Sequence, residues 1–247
     1  MLNSTYLNWK GLPAVILVLF SITVSTAHCA DAIQILKNKA RTYYYGDNAR
    51  QDYGKALALY LKAANLGDAE AQYIAGAMYF KGLAGTKDLR RAFTLLHRAA
   101  LQGKSTPESE KIIGQAFLLG SGVPKNYSEA RRWYSLAAAK GDNEAQNELG
   151  YLYFTGKGVK KDPEKALKLF LQSATNGLAI AQYNLGILYY TGNGVQTADL
   201  KAAYSWMNIA AANGHKPAVA ARDFLETVLS ADEIREAQEF SLSKSTE

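Results

Sequence analysis

Residues 145–177 read AQNELGYLYFTGKGVKKDPEKALKLFLQSATNG, a stretch that contains two helical patterns separated by a glycine-rich turn. In the first pattern, small or apolar residues stand at i, i+4, i+5 and i+8, which places them on one face of an α-helix. They are Ala145, Leu149, Gly150 and Tyr153. A glycine inside a helix costs about 1 kcal/mol relative to alanine. Gly150 therefore predicts that a partner backbone comes close to the helix at this point.

The second pattern begins with a helix-start signal, Asp162-Pro163-Glu164. Aspartate is a favoured N-cap, proline suits the first helical position, and an acidic residue there interacts favourably with the helix dipole. A large pair, Leu169-Phe170, precedes a small pair, Ser173-Ala174, and Gly177 can close the helix in a left-handed conformation. The stretch therefore predicts two consecutive helices that pack together.

The same patterns recur along the chain. The glycines that close the second helix stand 36, 38, 36 and 37 residues apart, at Gly67, Gly103, Gly141, Gly177 and Gly214. An alanine lies 11 residues before each of them, at Ala56, Ala92, Ala130, Ala166 and Ala203. An N-cap residue lies four residues before each alanine, at Asp52, Asp88, Asn126, Asp162 and Asp199. Positions that keep register through five copies indicate an internal repeat of about 36 residues.

A Gly-x-Gly-Val turn joins the two helices in three of the copies. It begins at Gly120, Gly156 and Gly192. A phosphate-binding loop also contains such glycines, but it follows a strand and opens a helix. Here the turn recurs after a helix at the repeat period, so we interpret it as turn chemistry.

The full pattern is A-x-x-x-L-G-x-x-Y-x-x-G-x-G-V, then an aspartate, A-x-x-W or A-x-x-L, A-A and a closing glycine. It resembles the Sel1-like repeat family, a relative of the tetratricopeptide repeats, most closely at 145–177 and 181–214. The first copy departs from it at Ala40, and the second has Leu83-Ala84-Gly85 in the turn. The resemblance implies an all-α fold: a right-handed α-solenoid of about twelve antiparallel helices with a concave inner surface.

The repeat length divides the chain. We expect five repeats in 32–216, with approximate bounds of 32–67, 68–103, 104–141, 142–177 and 178–214. Two closing helices should follow in 217–240, because Ser230 and Glu233 form a capping-box pattern and the outer surface becomes charged, as a terminal cap requires. Residues 241–247 are expected to fray.

The first thirty residues have the layout of a secretory signal. Lys10 precedes an apolar run, 12–24, and small residues follow it. The run is shorter than the roughly 20 residues that span a bilayer, which favours a signal at 1–27 cleaved between residues 27 and 30. Two alternatives stay open: the signal is retained as an anchor, or Cys29 is lipidated, although bulky His28 precedes it. The expected location is periplasmic or secreted.

The composition offers little reactive chemistry. The chain of 247 residues has one Cys and three His, and neither His97, expected on the outward face of its helix, nor His215 has a second ligand at a suitable spacing. A cysteine-rich branch of the Sel1-like proteins has been linked to β-lactam hydrolysis, but its paired cysteines are missing here. We predict no catalytic residue, no metal site and no cofactor.

The net charge of +6 does not indicate nucleic acid as a partner. The basic runs are only pairs, such as Arg90-Arg91 and Lys160-Lys161, and they lie at helix starts or turns. An exported protein would also seldom meet nucleic acid. A solvated surface explains these charges.

The surface most informative about function is the expected groove. By analogy with tetratricopeptide repeats, it is lined by first-helix positions three before and one, four and five after the recurring glycine. These residues are Tyr44, Tyr73, Phe80, Lys81, Lys111, Gln115, Leu118, Asn147, Tyr151, Phe154, Tyr183, Ile187 and Tyr190. Tyrosines bury a large area at low entropic cost, as peptide-binding grooves require. The alternative is that many of them, especially Phe80, Phe154 and Tyr190, pack between repeats.

The main hypothesis is a non-enzymatic, exported adaptor that binds a protein or peptide partner in this groove. A second hypothesis is a cell-envelope protein that binds peptidoglycan or polysaccharide or activates an envelope enzyme, where aromatic rings would stack on sugars. A third is a structural component of an envelope machine. After signal cleavage we expect no integral membrane span, although association with the envelope is compatible with all three.

Overall fold

The computed structural model of the protein describes residues 14–47 and 50–245, with side chains at 29–47 and 50–241. This part of the chain forms twelve α-helices and no strand, which confirms the all-α class. The helices are α1 (Ala14–Tyr45), α2 (Tyr53–Asn65), α3 (Ala69–Lys81), α4 (Leu89–Leu101), α5 (Pro107–Leu119), α6 (Tyr127–Ala139), α7 (Asn143–Thr155), α8 (Pro163–Thr175), α9 (Ala179–Thr191), α10 (Leu200–Ala212), α11 (Lys216–Glu226) and α12 (Ala231–Ser245).

The first helix, α1, begins at Ala14, well before residue 32, where the first repeat was expected to start. The expected cleavage region between residues 27 and 30 therefore lies inside α1, whereas residues 1–13 of the predicted signal lie outside the described residues. Cys29 is exposed and has a free thiol. Across the described helices, none is both long enough and apolar enough to cross a membrane.

The described residues divide between two compact units, one within residues 1–88 together with 98–104 and one within residues 89–97 together with 105–247. In the first unit α2 packs against both α1 and α3. Its buried core combines many alanines with a few large side chains, namely Ala40, Ala56, Tyr60, Ala63, Ala71, Ala75 and Met78. The small residues allow close approach of the helices and the large ones fill the space that remains.

In the second unit the repeat pattern becomes a packing pattern. The helices of one repeat pair as α5 with α6, α7 with α8 and α9 with α10, and consecutive repeats meet through α6 with α7 and α8 with α9. The last pair is covered by α11 and α12, which both pack against α10. Tyr204, buried in α10, donates a hydrogen bond to Glu226 Oε1 at 2.9 Å.

Four of the five N-caps predicted for the second helices make the expected hydrogen bonds. The side chains of Asp52, Asn126, Asp162 and Asp199 accept hydrogen bonds from backbone N–H groups of the following turn. At α12, Ser230 and Glu233 form the predicted reciprocal capping box. These bonds satisfy N–H groups that a helix start leaves without partners.

Helix α12 continues to Ser245, beyond residue 240, where the closing helices were expected to end. Ser241 is buried and its hydroxyl donates to the Ser205 carbonyl at 3.2 Å. The polar composition of this segment gave no indication that Ser241 packs against α10. Residues 246 and 247 lie outside the described residues.

The mid-helix glycines accommodate large side chains of the paired second helix. A Cβ added at Gly150 would lie 2.8 Å from the Phe170 ring, and one at Gly114 would lie 2.9 Å from the Tyr134 ring. The close contact predicted at these glycines is confirmed. The partner expected there was a backbone, whereas at these two positions it is an aromatic side chain that needs the space of the missing methyl group.

The second glycine of the turn has a different neighbour. A Cβ at Gly158 would lie 2.5 Å from the Tyr127 carbonyl carbon, at the first turn of α6 in the preceding repeat, and one at Gly122 would lie 2.7 Å from the Cα of Arg90, at the start of α4. Gly194 approaches Pro163 at the start of α8 in the same way. The turn therefore connects consecutive repeats as well as the two helices of its own repeat.

A buried glutamine connects the end of one helix pair to the next in three copies. The side-chain nitrogens of Gln72, Gln146 and Gln182 donate to the carbonyls of Ala64, Ala138 and Ala174, at 3.2, 3.4 and 3.1 Å. Two of these glutamines also accept a hydrogen bond through the side-chain oxygen. Gln102 donates to Gln72 and Asn213 donates to Gln182, each at 2.9 Å. The side chain thus satisfies carbonyls that a helix end leaves exposed.

Glu110 occupies this glutamine position in the third copy and is buried. Its Oε1 accepts hydrogen bonds from Ser105 Oγ at 2.6 Å and from Lys140 Nζ at 2.5 Å. Its Oε2 has no hydrogen-bond partner among the described residues. A buried carboxylate oxygen without a donor destabilises the fold.

We predict that Gly158→Ala costs about 2 kcal/mol more stability than Gly177→Ala. Both glycines have positive φ, 69° and 86°, so alanine is strained at either position. Only at Gly158 would the added Cβ also collide with a neighbouring backbone, since a Cβ at Gly177 meets nothing within 4 Å. Urea unfolding followed by circular dichroism measures the difference. Equal losses would show that turn conformation alone requires glycine at position 158.

We predict that Glu110→Gln stabilises the protein by about 1 kcal/mol. The amide oxygen can still accept from Ser105, and the amide nitrogen supplies the donor that glutamines provide at the equivalent positions. Glu110→Ala should destabilise instead, because it leaves the Ser105 hydroxyl and the Lys140 ammonium without their acceptor. Thermal unfolding of the three proteins tests this order, and a lower melting temperature for Glu110→Gln would contradict it.

Candidate functional site

The residues predicted to line a groove all lie on or next to first helices, but they belong to two separate units. Tyr44, Tyr73, Phe80 and Lys81 are in the first unit. The second unit contains Lys111, Gln115, Asn147, Tyr151, Phe154, Tyr183 and Tyr190. Their surroundings differ according to their position relative to the recurring glycine.

The position three before the glycine contacts the next repeat. Lys111 Nζ lies 2.6 Å from Glu144 Oε2 and 3.6 Å from Asp142, the N-cap of α7. Partial burial by itself would lower the pKa of Lys111, but the hydrogen bond that Lys111 donates to Glu144 and the charges of both carboxylates raise the pKa above its ordinary value. Lys37 makes the equivalent ion pairs with Asp68 and Glu70 in the first unit. These lysines therefore join successive first helices.

The same position in the last two copies also faces the next repeat. Asn147 is only 3% exposed, and its Oδ1 accepts a hydrogen bond from Asn184 Nδ2 at 2.8 Å. The Tyr183 ring packs on His215, with ring centroids 4.8 Å apart. Burial removes Asn147 from the candidate binding surface, because its amide is already engaged between α7 and α9.

The position one after the glycine is more accessible. Tyr151 is 39% exposed, and its hydroxyl oxygen accepts a hydrogen bond from Lys157 Nζ at 3.2 Å. That hydrogen bond raises the pKa of Lys157, whose ammonium also lies 5.1 Å from the Tyr151 ring centroid. Gln115, at the same position in α5, is exposed. This position can contact a partner without disturbing the core.

The position four after the glycine is aromatic in four copies and partly accessible. The Phe80 ring lies under Lys87 and the Phe154 ring under Lys161, with ammonium-to-centroid distances of 5.8 and 5.6 Å. Tyr190 is 40% exposed, with one edge against Phe224. In the first copy Tyr44 contacts the rings of Tyr45 and Tyr53. Lys81, one residue further along α3 than Phe80, is exposed.

His97 is placed differently from the prediction. It lies in an aromatic cluster, stacked on Phe93 at 5.2 Å and edge-on to Phe117 and Trp133 at 5.9 and 5.5 Å. Burial lowers the pKa of His97, so its ring is neutral at pH 7. The outward assignment was wrong because rings from α5 and α6 cover this side of the helix. The histidine packs as an aromatic residue.

The part of the chain that the structure describes has no group of three or more His, Cys, Asp or Glu side chains that could hold a metal ion. Asp68 and Asp142 are helix caps, as expected: each accepts a hydrogen bond from the backbone N–H three residues later, at 2.7 and 2.8 Å.

One cavity escaped the sequence prediction. It lies in the first unit, has a volume of about 310 Å³, and is lined by residues that include Lys37, Asn38, Arg41, Tyr45, Tyr60 and Glu70. In the first copy Ala40 replaces the recurring glycine. The positions three before it, one after it and five after it are Lys37, Arg41 and Tyr45. The repeat register could therefore have found these residues. The degenerate sequence of the first copy obscured them.

The comparison with known families and structures agrees with the repeat. The Sel1 repeat matches at residues 40–68, 69–104, 107–142, 143–178 and 179–215. A Sel1 repeat protein from Oxalobacter formigenes is 34% identical, with a TM-score of 0.61 and coverage of 74% of each chain.

A second similar structure is c5321, described as a protective antigen present in uropathogenic Escherichia coli strains and displaying an SLR fold. It is 28% identical with a TM-score of 0.57, and the match covers 85% of this chain and 52% of the antigen. This chain therefore spans about half of the antigen's length. The five matched repeats together cover more than half of the chain, and the protein belongs to the Sel1 repeat family.

Proposed function

We propose that this chain is an exported, non-enzymatic adaptor that binds a protein or peptide partner through exposed side chains of its first helices. Sel1 repeat proteins typically mediate protein–protein interactions, and the family is generally non-catalytic. The observation that carries the proposal is a set of accessible aromatic rings on α7 and α9. Two of them, Tyr151 and Phe154 on α7, lie beneath the ammonium groups of lysines in the turn that follows α7.

We call this the α7–α9 aromatic surface and define it as Tyr151, Phe154, Lys157, Lys161 and Tyr190. The two helices are adjacent, because the hydrogen bond from Asn184 to Asn147 joins them. Tyr151 and Tyr190 present about two fifths of their surface to solvent. Rigid aromatic side chains lose little entropy on binding and dominate the energy of many protein interfaces.

The lysines favour a protein partner over a polysaccharide. Lys157 and Lys161 lie over the rings of Tyr151 and Phe154, at 5.1 and 5.6 Å from the centroids. A sugar would have to displace these ammonium groups before it could stack on the ring faces. A carboxylate of a protein could instead pair with an ammonium that the ring already holds in place. Partner side chains would then pack against the exposed ring edges.

We predict that Tyr151→Ala/Tyr190→Ala reduces capture of the partner from native envelope extract at least about fivefold, because the variant removes the two most exposed rings of the surface. Capture is measured by quantitative mass spectrometry on immobilised full chain. The matched control is Leu136→Ala/Leu171→Ala, which removes side chains of similar exposure, 41% and 40%, from the second helices α6 and α8.

Both variants should retain the helical circular dichroism of the wild type, since all four side chains are partly exposed. The proposal fails if the tyrosine variant is folded and still captures every partner, or if the leucine control loses the same partners. Retention of the purified chain on isolated peptidoglycan, without any other protein, would support the polysaccharide hypothesis in its place.

We predict that protein recovered from the native host begins between residues 28 and 30. The apolar run 12–24 followed by small residues is the basis for cleavage by a signal peptidase. Intact-mass measurement of protein from the envelope fraction tests this. An uncleaved chain would indicate retention of the signal as an anchor, and a chain beginning at Cys29 with added acyl mass would indicate lipidation.

A further inference from the structure

The turns that follow α5 and α7 in the second unit place lysines over aromatic rings. Lys125 lies 5.9 Å from the centroid of the Tyr127 ring, and Lys157 lies 5.8 Å from the same centroid. Lys157 also lies 5.1 Å from the Tyr151 centroid and donates a hydrogen bond to the Tyr151 hydroxyl oxygen at 3.2 Å. Two ammonium groups from consecutive repeats therefore share one ring.

Lys125 and Lys161 occupy the same place in consecutive copies, beside the first glycine of the turn. A Cβ added at Gly120 would lie 3.6 Å from Lys125, and one at Gly156 would lie 3.3 Å from Lys161. Ala198 takes this place in the last copy, and the turn after α9 contains no lysine or arginine. We call the cationic part of the surface the lysine edge and define it as Lys125, Tyr127, Tyr151, Phe154, Lys157 and Lys161.

The positive charge of the lysine edge exceeds the negative charge around it. Residues 120–132 and 156–165, which contain the two turns and the helix starts after them, have seven lysines and arginines but only three acidic residues. Of these three, Glu129 pairs with Arg132 and Asp162 caps α8. Within the described part of the chain, no carboxylate forms an ion pair with a lysine of the lysine edge. An excess of positive charge therefore remains there.

The surface becomes apolar toward the last helices of the unit. Tyr190 of α9 lies with its ring edge-on to Phe224 of α11, at 6.4 Å between centroids. Both Phe224 and Val228 are 52% exposed. The closing helices are acidic, since residues 216–240 have six acidic residues and three lysines and arginines. The cations of the lysine edge thus do not continue along α9 and α11.

One extended segment can reach both parts of this surface. α7 contacts α9 through the hydrogen bond from Asn184 to Asn147, and α9 contacts α11 through Tyr190 and Phe224. Packed helices lie about 8–10 Å apart, so the distance from α7 to α11 is roughly 20 Å. An extended chain covers this distance with about six residues, at about 3.3 Å each, and its alternate side chains face the same side.

We propose that the lysine edge and the Tyr190 and Phe224 rings together bind an extended acidic and apolar segment of the protein partner. Its carboxylates would pair with the lysines of the edge, and its apolar side chains would pack on the two rings. The proposal rests on the proposed function and adds the chemistry of the partner. Lysines already held over rings lose less freedom when they pair with a carboxylate.

A nucleic acid fits this surface less well than an acidic protein segment does. Its phosphates carry negative charge along the whole strand, whereas the cations stop after the turn that follows α7. A strand that continued over α11 would approach the acidic closing helices. The surface instead favours a partner that is acidic over one stretch and apolar over the next.

A synthetic peptide of seven residues tests this chemistry. It is acetylated and amidated, with glutamates at its first and third positions, leucine at its fifth, phenylalanine at its seventh and serines between them. Fluorescence anisotropy with the full chain should give a dissociation constant on the order of 100 μM, which weakens as salt is added. Replacing both glutamates with glutamine, or both apolar residues with serine, should weaken binding at least about tenfold.

Two matched variants test the lysines. Lys125→Gln/Lys157→Gln removes both ammonium groups that share the Tyr127 ring, and it should weaken binding of the peptide about tenfold. Lys168→Gln/Lys216→Gln removes the same charge from exposed positions of the same unit outside the lysine edge, and it should bind as the wild type does. Equal melting temperatures of the two variants would show that the first one keeps its fold.

The proposal is overturned if the peptide with glutamines binds as tightly as the one with glutamates, if neither binds at about 1 mM, or if the control variant weakens binding as much as Lys125→Gln/Lys157→Gln. Tighter binding of a single-stranded oligonucleotide than of the acidic peptide would also overturn it, in favour of nucleic acid. The proposed function has a separate test. If Lys125→Gln/Lys157→Gln captures the same partners as the wild type while Tyr151→Ala/Tyr190→Ala loses them, the acidic segment is wrong and the adaptor function stands.

Discussion

The contact between the first and second helix of one repeat is the constraint on which the rest of the second unit depends. At Gly150 the missing side chain leaves room for the Phe170 ring, and Gly114 and Gly186 accommodate Tyr134 and Met207 in the same way. The glycine lowers the helix propensity of the first helix. In return, the large side chain of the second helix fills the interface at a packing density close to that of organic crystals. Because three consecutive helix pairs pack around a glycine in the same way, the turns, caps and glutamine bonds can recur at similar intervals.

Between repeats, the polar bonds are as regular as the apolar packing. Gln182 uses both ends of its amide, donating to Ala174 and accepting from Asn213, and Gln72 bonds in the same way. The residue three before the glycine contacts the start of the next first helix, through Lys111 with Asp142 or through Tyr183 with His215. Such positions connect repeats, and this leaves the positions one and four after the glycine for partners.

The candidate site could be predicted only in part from the sequence. The repeat register led to Tyr151, Phe154 and Tyr190, which the structure places on accessible parts of α7 and α9. It did not distinguish them from Asn147, which shares their helix face but is buried by Asn184, because the neighbour 37 residues away is not visible in the pattern of one helix. His97 was misplaced for the same reason, since Phe117 and Trp133 come from other helices.

The sequence by itself determined the helices, their caps and the repeat, because each depends on residues within one or two turns of each other: an Asp four residues before an alanine, a glycine after the last turn. Only the tertiary structure decided which side chains remain available. Gly158 is constrained by the backbone of Tyr127, and Lys37 is engaged in ion pairs with Asp68 and Glu70. Both outcomes depend on distances between segments about 30 residues apart, which packing determines and local periodicity cannot encode.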